Sequence, residues 1–217
     1  MRITLLFIYF SFIPLIIMSQ EEKEWKLIKQ QRGIDVYVKS VPESPINAVK
    51  ASVVVDCPIS IAYAVVIDVR NHPLWMYQCK QAKMLNKISD TSWYYYAQSK
   101  TPWPVADRDY ASYMYVSRNC ENSIIIIGKG VPDYVPQRDD CIRLPFSFSE
   151  WKLTPLPSGK TYAEIFLSVD VGGTVPPWLL NLFISRGPYQ TLVNYSIMVH
   201  NKKYRNAKLP AFLSEQK

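Results

Sequence analysis

Three groups of side chains in this sequence are placed to do chemistry. The first is Arg108-Asp109, which follows the turn-like run Pro102-Trp103-Pro104-Val105-Ala106-Asp107 and leads into Tyr110. Successive side chains of an extended chain point to opposite faces. If Arg108 faces a core, Tyr110, Ser112 and Met114 face it too, and Asp109 takes the other side. A buried guanidinium needs a partner, because an isolated buried charge is costly. Asp68, Asp170 or the polar head of a bound molecule are candidates; a purely structural ion pair bracing the Pro-Trp-Pro turn is the alternative. The second group is His72, Tyr95, Asp107 and Asp170, side chains able to move protons once a cavity tunes them. No spacing selects any of them for that work, and there is no nucleophile elbow or phosphate loop. His72 and Arg143 are also candidates for the single polar anchor that an apolar pocket requires. The third group is Cys57, Cys79, Cys120 and Cys141. With only His72 and His200 beside them, their spacing matches no zinc pattern, so no metal and no cofactor is expected. Cys57 and Cys79 flank a helical segment and are the pair to consider if a disulfide forms; buried free thiols are the other reading.

The elements that must position these residues follow from periodicity and punctuation. Residues 25–29 and 34–38 read as short strands around the turn Gln31-Arg32-Gly33, and 48–55 as a third. Asp56-Cys57-Pro58 signals a helix start with a capping acid, and Ile61, Ala64 and Val65 recur at helical spacing. Asn71 is placed to cap a second short helix that carries Trp75 inward. Segments 83–88, 92–99, 107–118, 123–129, 141–153 and 160–171 read as strands joined by short turns, which means an antiparallel meander. Gly172-Gly173 lets the chain turn out of the sheet, and Pro176-Pro177 stands where a helix begins. A turn and a half of helix is expected over 178–185. A final helix over 188–205, ~27 Å long at 1.5 Å per residue, turns Leu192, Tyr195, Ile197, Met198 and Val199 inward. A helix with an apolar face must bury it on another layer. The expectation is therefore an α+β fold, a curved antiparallel sheet wrapped around a long C-terminal helix with an internal cavity between them.

Composition bounds the rest. The 217 residues, 48% of them hydrophobic, suit one domain over 20–217 with a sizeable core. Residues 1–19 join Arg2 to an uncharged apolar run ending at Ser19, the pattern of a secretory signal peptide; an uncleaved membrane anchor is the alternative. Export, to a periplasm or the exterior, is the expectation. Without Arg2 the formal net charge is +6, dispersed along the chain rather than blocked as in a nucleic-acid arm. That charge suits either simple solubility or transient contact with an anionic membrane surface, and no nucleic-acid partner is expected.

Several ordered motifs together resemble the START family of lipid-binding domains. They are Trp25 with Gly33-Ile34-Asp35-Val36-Tyr37, the helix ending at Trp75, Pro102-Trp103-Pro104 leading into Arg108-Asp109-Tyr110, Ile142-Arg143 with Trp151, and Val169-Asp170-Val171-Gly172-Gly173 running on to Trp178-Leu179-Leu180-Asn181. The resemblance implies a helix-grip fold with an internal tunnel for one lipid, such as a sterol or phospholipid. It implies carriage, transfer or sensing without chemistry, with the closing helix and a nearby loop as lid. Cavity and lid candidates are then His72, Trp75, Trp103, Arg108, Tyr110, Met114, Arg143, Trp178, Leu182 and Phe183. The aromatic and aliphatic members among these are equally suited to plain core. Several lipid-carrying members of the family place a second Arg six residues after the first; Met114 stands there in this chain, which implies a more apolar tunnel floor. The same superfamily contains cyclases and dehydratases, so an enzyme using the same cavity is the alternative function.

Overall fold

A computed structural model describes residues 24–40, 47–174, 176 and 186–214. The leader 1–19 and the expected helix 178–185 lie outside the described residues.

Ten strands form one sheet: β1 (Lys26–Gln31), β2 (Ile34–Ser40), β3 (Asn47–Val55), β4 (Cys79–Lys87), β5 (Ser92–Ser99), β6 (Asp107–Arg118), β7 (Ile124–Gly130), β8 (Cys141–Arg143), β9 (Phe146–Pro155) and β10 (Thr161–Asp170). The order is β1-β2-β3-β10-β9-β7-β6-β5-β4, with β8 added beside β6. Two antiparallel runs, β1 to β3 and β4 to β10, are thus stitched together where β3 meets β10. The α+β helix-grip architecture is as the motifs imply. The expected single strand 141–153 is in fact two, interrupted at Leu144-Pro145, because proline cannot donate to a ladder. Its first piece, β8, pairs with β6 in parallel, the one departure from antiparallel pairing among the described ladders.

Helices α1 (Ile59–Ile67), α2 (His72–Trp75) and α3 (Gly187–Met198) cover the concave face. The core runs from Val36, Ala51 and Val53 through Trp151, Leu153 and Ile165 to Leu192 and Tyr195. The helix starts differ from expectation. Asp56 caps nothing; its carboxylate lies 3.7 Å from Lys160 at the surface. Asn71 does not cap α2 either, since its amide donates to Asp68 and Tyr204. Helix α3 is also shorter than expected, 12 residues and so ~18 Å. It ends where Asn201 accepts the Lys203 amide and starts a separate short 3₁₀ turn, a local bond that competes with helix. Leu192, Tyr195, Met198 and Val199 are buried as expected, but Ile197 is 69% exposed. At 100° per residue Ile197 projects opposite Pro188, on the solvent side. All four cysteines are free thiols, so the Cys57–Cys79 pairing is not made. Gly172 and Gly173 have φ of +62° and +66°, the left-handed conformation that takes the chain off β10. No helix among the described residues is long and apolar enough to cross a membrane.

Candidate functional site

The middle of the concave face is built from small residues. Strand register places Tyr95 opposite Ser112, Ser112 opposite Gly130, and Ser147 opposite Val169. The next row runs Trp93, Met114, Gly128, Ser149 and Leu167. A Cβ on Gly128 would stand 2.6 Å from Ser149 Oγ and 2.8 Å from Met114 Sδ, and one on Gly130 would stand 2.7 Å from Ser147 Oγ. The serine and methionine side chains thus close over the two glycines, while Ser112, Ser147 and Ser149 reach less far from the sheet than leucine or phenylalanine would. A hollow of about 180 Å³ results, between this part of the sheet, α2 and the first turn of α3.

One end of the hollow is fully buried and aromatic. Trp75 packs edge-on against His72 and Trp151, with ring centres 5.4 and 5.8 Å away, and lies 5.4 Å from Tyr195. Tyr195 donates to the Ala62 carbonyl at 2.9 Å, and Asn194 donates to the Trp75 carbonyl, which locks α3 onto α1 and α2. His72 Nε2 lies 2.8 Å from the Val66 carbonyl. A carbonyl only accepts, so Nε2 carries the proton. Nδ1 then accepts from the Tyr95 hydroxyl at 3.0 Å. Burial lowers the His72 pKa to about 4, against a small opposing pull from the Val66 carbonyl and Asp68, so the ring is neutral. Burial likewise holds the phenols of Tyr95 and Tyr110 well above their usual range, hence protonated. At the other end the wall reaches Gln78, the exposed Lys100 and Gly187. Lys100 is the one charged side chain among the described lining residues.

The neutral His72 gives a pH signature. Between pH 6.5 and 4 the unfolded chain binds a proton at this ring and the folded chain does not. Stability is therefore full above 6.5 and falls as pH drops through that window, on the order of 3 kcal/mol in total. Urea unfolding of the wild type and of His72→Gln across this range should show the extra acid sensitivity only in the wild type. Parallel curves would mean that His72 is not held neutral.

The expected site residues divide. His72, Trp75, Tyr110 and Met114 line the hollow. Arg108 is on the concave side and 1% exposed, but lies beyond the cavity wall. Neither Asp68 nor Asp170 is its partner. Its guanidinium donates to the carbonyls of Ala106, at 2.6 Å, and Val171, so it braces the turn before β6 against the turn after β10. Asp68 instead takes Lys203 and Tyr204, and Asp170 takes the Gly172 amide. Arg143 is no cavity anchor. It lies on the convex side, where Nε and Nη2 donate to both oxygens of Asp109 at 2.8 and 3.0 Å. The same guanidinium also holds the carbonyls of Pro132, Val135 and Pro136. The structural ion pair is thus Asp109–Arg143, because alternation turns Asp109 away from the cavity. Trp103 is no wall residue either: it is 91% exposed at the tip of the β5–β6 loop, too far along the turn to reach back to the sheet. Trp178, Leu182 and Phe183 lie outside the described residues. Ser147, Ser149 and Thr191, which line the hollow, were not foreseen. The alternation Gly128-Lys129-Gly130 and Ser147-Phe148-Ser149 was the available signal, two strands with small residues on one face only.

With this geometry in view, comparison with known proteins identifies the class. Residues 17–200 match the START domain family, and the chain belongs to it. A Pseudomonas aeruginosa protein, Uncharacterized protein PA1579, is 30% identical over 170 residues, which is 78% of this chain and 84% of that protein. The crystal structure of a STAR-related lipid transfer protein fragment from Xanthomonas axonopodis superposes with a TM-score of 0.75 at 28% identity, covering 82% of this chain and 99% of that one. Human StAR-related lipid transfer protein 5 also superposes at 0.75, at 19% identity over 83% of this chain and 88% of that one, a likeness of fold alone.

Proposed function

We propose that the protein carries one hydrophobic small molecule in the hollow and exchanges it at a membrane surface, without chemistry of its own. The observation that carries this reading is the unfilled space of about 180 Å³ bordered by Ser112 of β6 and Ser147 and Ser149 of β9 together with Tyr110, Met114 and Trp151, where a folded protein ordinarily packs side chains. At about 180 Å³ the hollow exceeds voids of ~150 Å³ that take up benzene. It is smaller than the ~300–1,000 Å³ of sites for drug-sized ligands. A lipid or sterol-like guest thus seats one end among the aromatic rings and needs the mouth near Lys100 and Gly187 to widen for the remainder. Removing apolar surface from water supplies roughly 25 cal/mol per Å², before ordering costs are subtracted. Carriage is favoured over acid–base chemistry because His72 titrates at about 4 and the cavity phenols far above neutrality, so neither is poised for proton transfer near pH 7. Mass spectrometry of an organic extract of the purified protein should show one apolar compound in near-stoichiometric amount. Protein that is empty and takes up no apolar dye would overturn the reading.

Trp103 and Lys100 share the loop at the mouth, an exposed indole beside a cation, which suits shallow insertion at an anionic membrane. Trp103→Ala should reduce sedimentation with anionic vesicles several-fold while leaving thermal unfolding unchanged; equal sedimentation would assign docking elsewhere. Membrane exchange also fits export through the apolar leader, for which Gln20 should be the first residue on N-terminal sequencing of the mature protein.

A further inference from the structure

The floor of the hollow carries hydroxyls that the fold leaves without partners. Ser112 of β6 and Ser147 and Ser149 of β9 line it, and none of the three makes a side-chain hydrogen bond among the described residues. Among those residues, the polar side-chain atoms both sealed from open space and unpartnered are the ring nitrogens of Trp75 and Trp93 and Nε of Arg118. The serine oxygens are therefore unsealed, and for Ser112, only 4% exposed, the open space beside it is the hollow. Ser147 and Ser149 share the concave face with Trp151, because strand side chains alternate, and lean over Gly130 and Gly128. Thr191 lines the opposite wall, on α3. Its oxygen accepts the Tyr77 amide at 3.2 Å, but its own proton has no acceptor among the described residues. His72 and Tyr95, by contrast, satisfy each other. Register fixes where the serines stand. Ser112 pairs with Tyr95 and Ser147 with Val169, while Ser149 lies one row further in, beside Gly128 and Leu167. Trp151 and Ile165 form the row beyond, at the aromatic end; Ala97 and Tyr110 form the row before, toward the mouth. Rows on one face are ~7 Å apart, so the hydroxyls make a band part-way down the hollow. Lys100, the one charged side chain among the described lining residues, stands outside that band.

We propose that the guest carries an uncharged carbonyl, of a ketone or an ester, part-way along an otherwise apolar chain. Ser112 and Ser149, with Ser147 and Thr191 beside them, bond its oxygen. The cavity thereby selects such molecules over plain hydrocarbons and over chains with the carbonyl at the tip. This deepens the carrier reading and rests on it. A buried hydroxyl without a partner is costly, and a carbonyl oxygen has two lone pairs to accept two of these protons. A hydrocarbon leaves all of them without an acceptor. A carbonyl at the tip of a chain reaches the band only by leaving the aromatic end unfilled. A carboxylate in the band would leave water with its charge unpaired, since Lys100 is at the exposed mouth.

The test is displacement of Nile red at pH 7.5 by three eleven-carbon probes: n-undecane, undecan-2-one and undecan-6-one. The two ketones differ in where the carbonyl lies and little in polarity, so their ratio reports position. Undecan-6-one should bind roughly 3- to 10-fold more tightly than undecan-2-one, the worth of one net hydrogen bond. Ser112→Ala together with Ser149→Ala should remove that preference while leaving n-undecane within about twofold of the wild type. Urea unfolding of the same double variant, with no probe added, should give a midpoint equal to or above that of the wild type, because the deleted hydroxyls bond nothing in the fold. Equal binding of the two ketones by the wild type, or a preference that survives the double variant, would mean that trapped water satisfies the serines. Either result would overturn the carbonyl assignment and leave the carrier reading intact. A midpoint clearly below the wild type would do the same, by showing that the hydroxyls are bonded within the protein. If no probe, n-undecane included, displaces the dye, the carrier reading falls and this inference falls with it.

Discussion

Asp109→Ala is expected to destabilise the protein by about 3–5 kcal/mol, a large part of the ~5–15 kcal/mol that holds a domain of this kind together. The reason is what the substitution leaves behind. The Asp109 side chain is fully buried and that of Arg143 is 7% exposed, so removing the carboxylate strands a desolvated guanidinium. Tyr96 loses the acceptor that its hydroxyl reaches at 2.9 Å. The node also fastens the segment after β7 to the convex face, through the three carbonyls that Arg143 holds and through the stacking of Tyr134 on Tyr94 at 3.7 Å. Denaturant unfolding should show the midpoint falling at nearly constant slope. A double variant, Asp109→Leu with Arg143→Met, should recover much of the loss, since a buried pair replaced by well-packed apolar groups is often neutral. A cost below about 1 kcal/mol for Asp109→Ala would mean that water reaches the pair.

The second large effect is on uptake. Ser112→Leu together with Ser149→Leu is expected to lower binding of an apolar dye at least ~10-fold, because both side chains would grow into a hollow of only about 180 Å³. The accompanying stability change should be small for a double core substitution, about 1–3 kcal/mol, as the added volume enters empty space before it strains neighbours. Uptake and stability thus separate, which a merely disruptive variant would not achieve. Unchanged uptake would move the site to the shallower groove lined by Tyr63, Ile67, Met84, Trp93 and Phe212.

Much of this was legible in the residues. The strand positions, the inward Trp75, the glycine turn at Gly172 and the shared face of Tyr110, Ser112 and Met114 follow from local rules: side-chain alternation, glycine's access to positive φ and the ordered motifs of the family. These are properties of a few neighbouring residues. Arg108 shows where such rules stop. Alternation tied it to the face of Tyr110 and Ser112, yet whether a guanidinium there meets a guest or a carbonyl depends on Val171, 63 residues away. Arg143 was misplaced for the same reason: its partner is set by a parallel pairing of β8 with β6 that no local pattern announces.

By itself the sequence determined the period of each strand, the turns between them and the apolar face of the last helix, because steric and solvation preferences act between near neighbours. Only the tertiary structure decided which strands lie side by side. That choice set Ser112 beside Gly130 and Gly128 beside Ser149, fixed the proton order from Tyr95 through His72 to Val66, and sent Asp109 to Arg143 on the far side. Register between distant segments is won by the packing of the whole sheet, and a cavity is a property of facing surfaces, so neither resides in any single stretch of the chain.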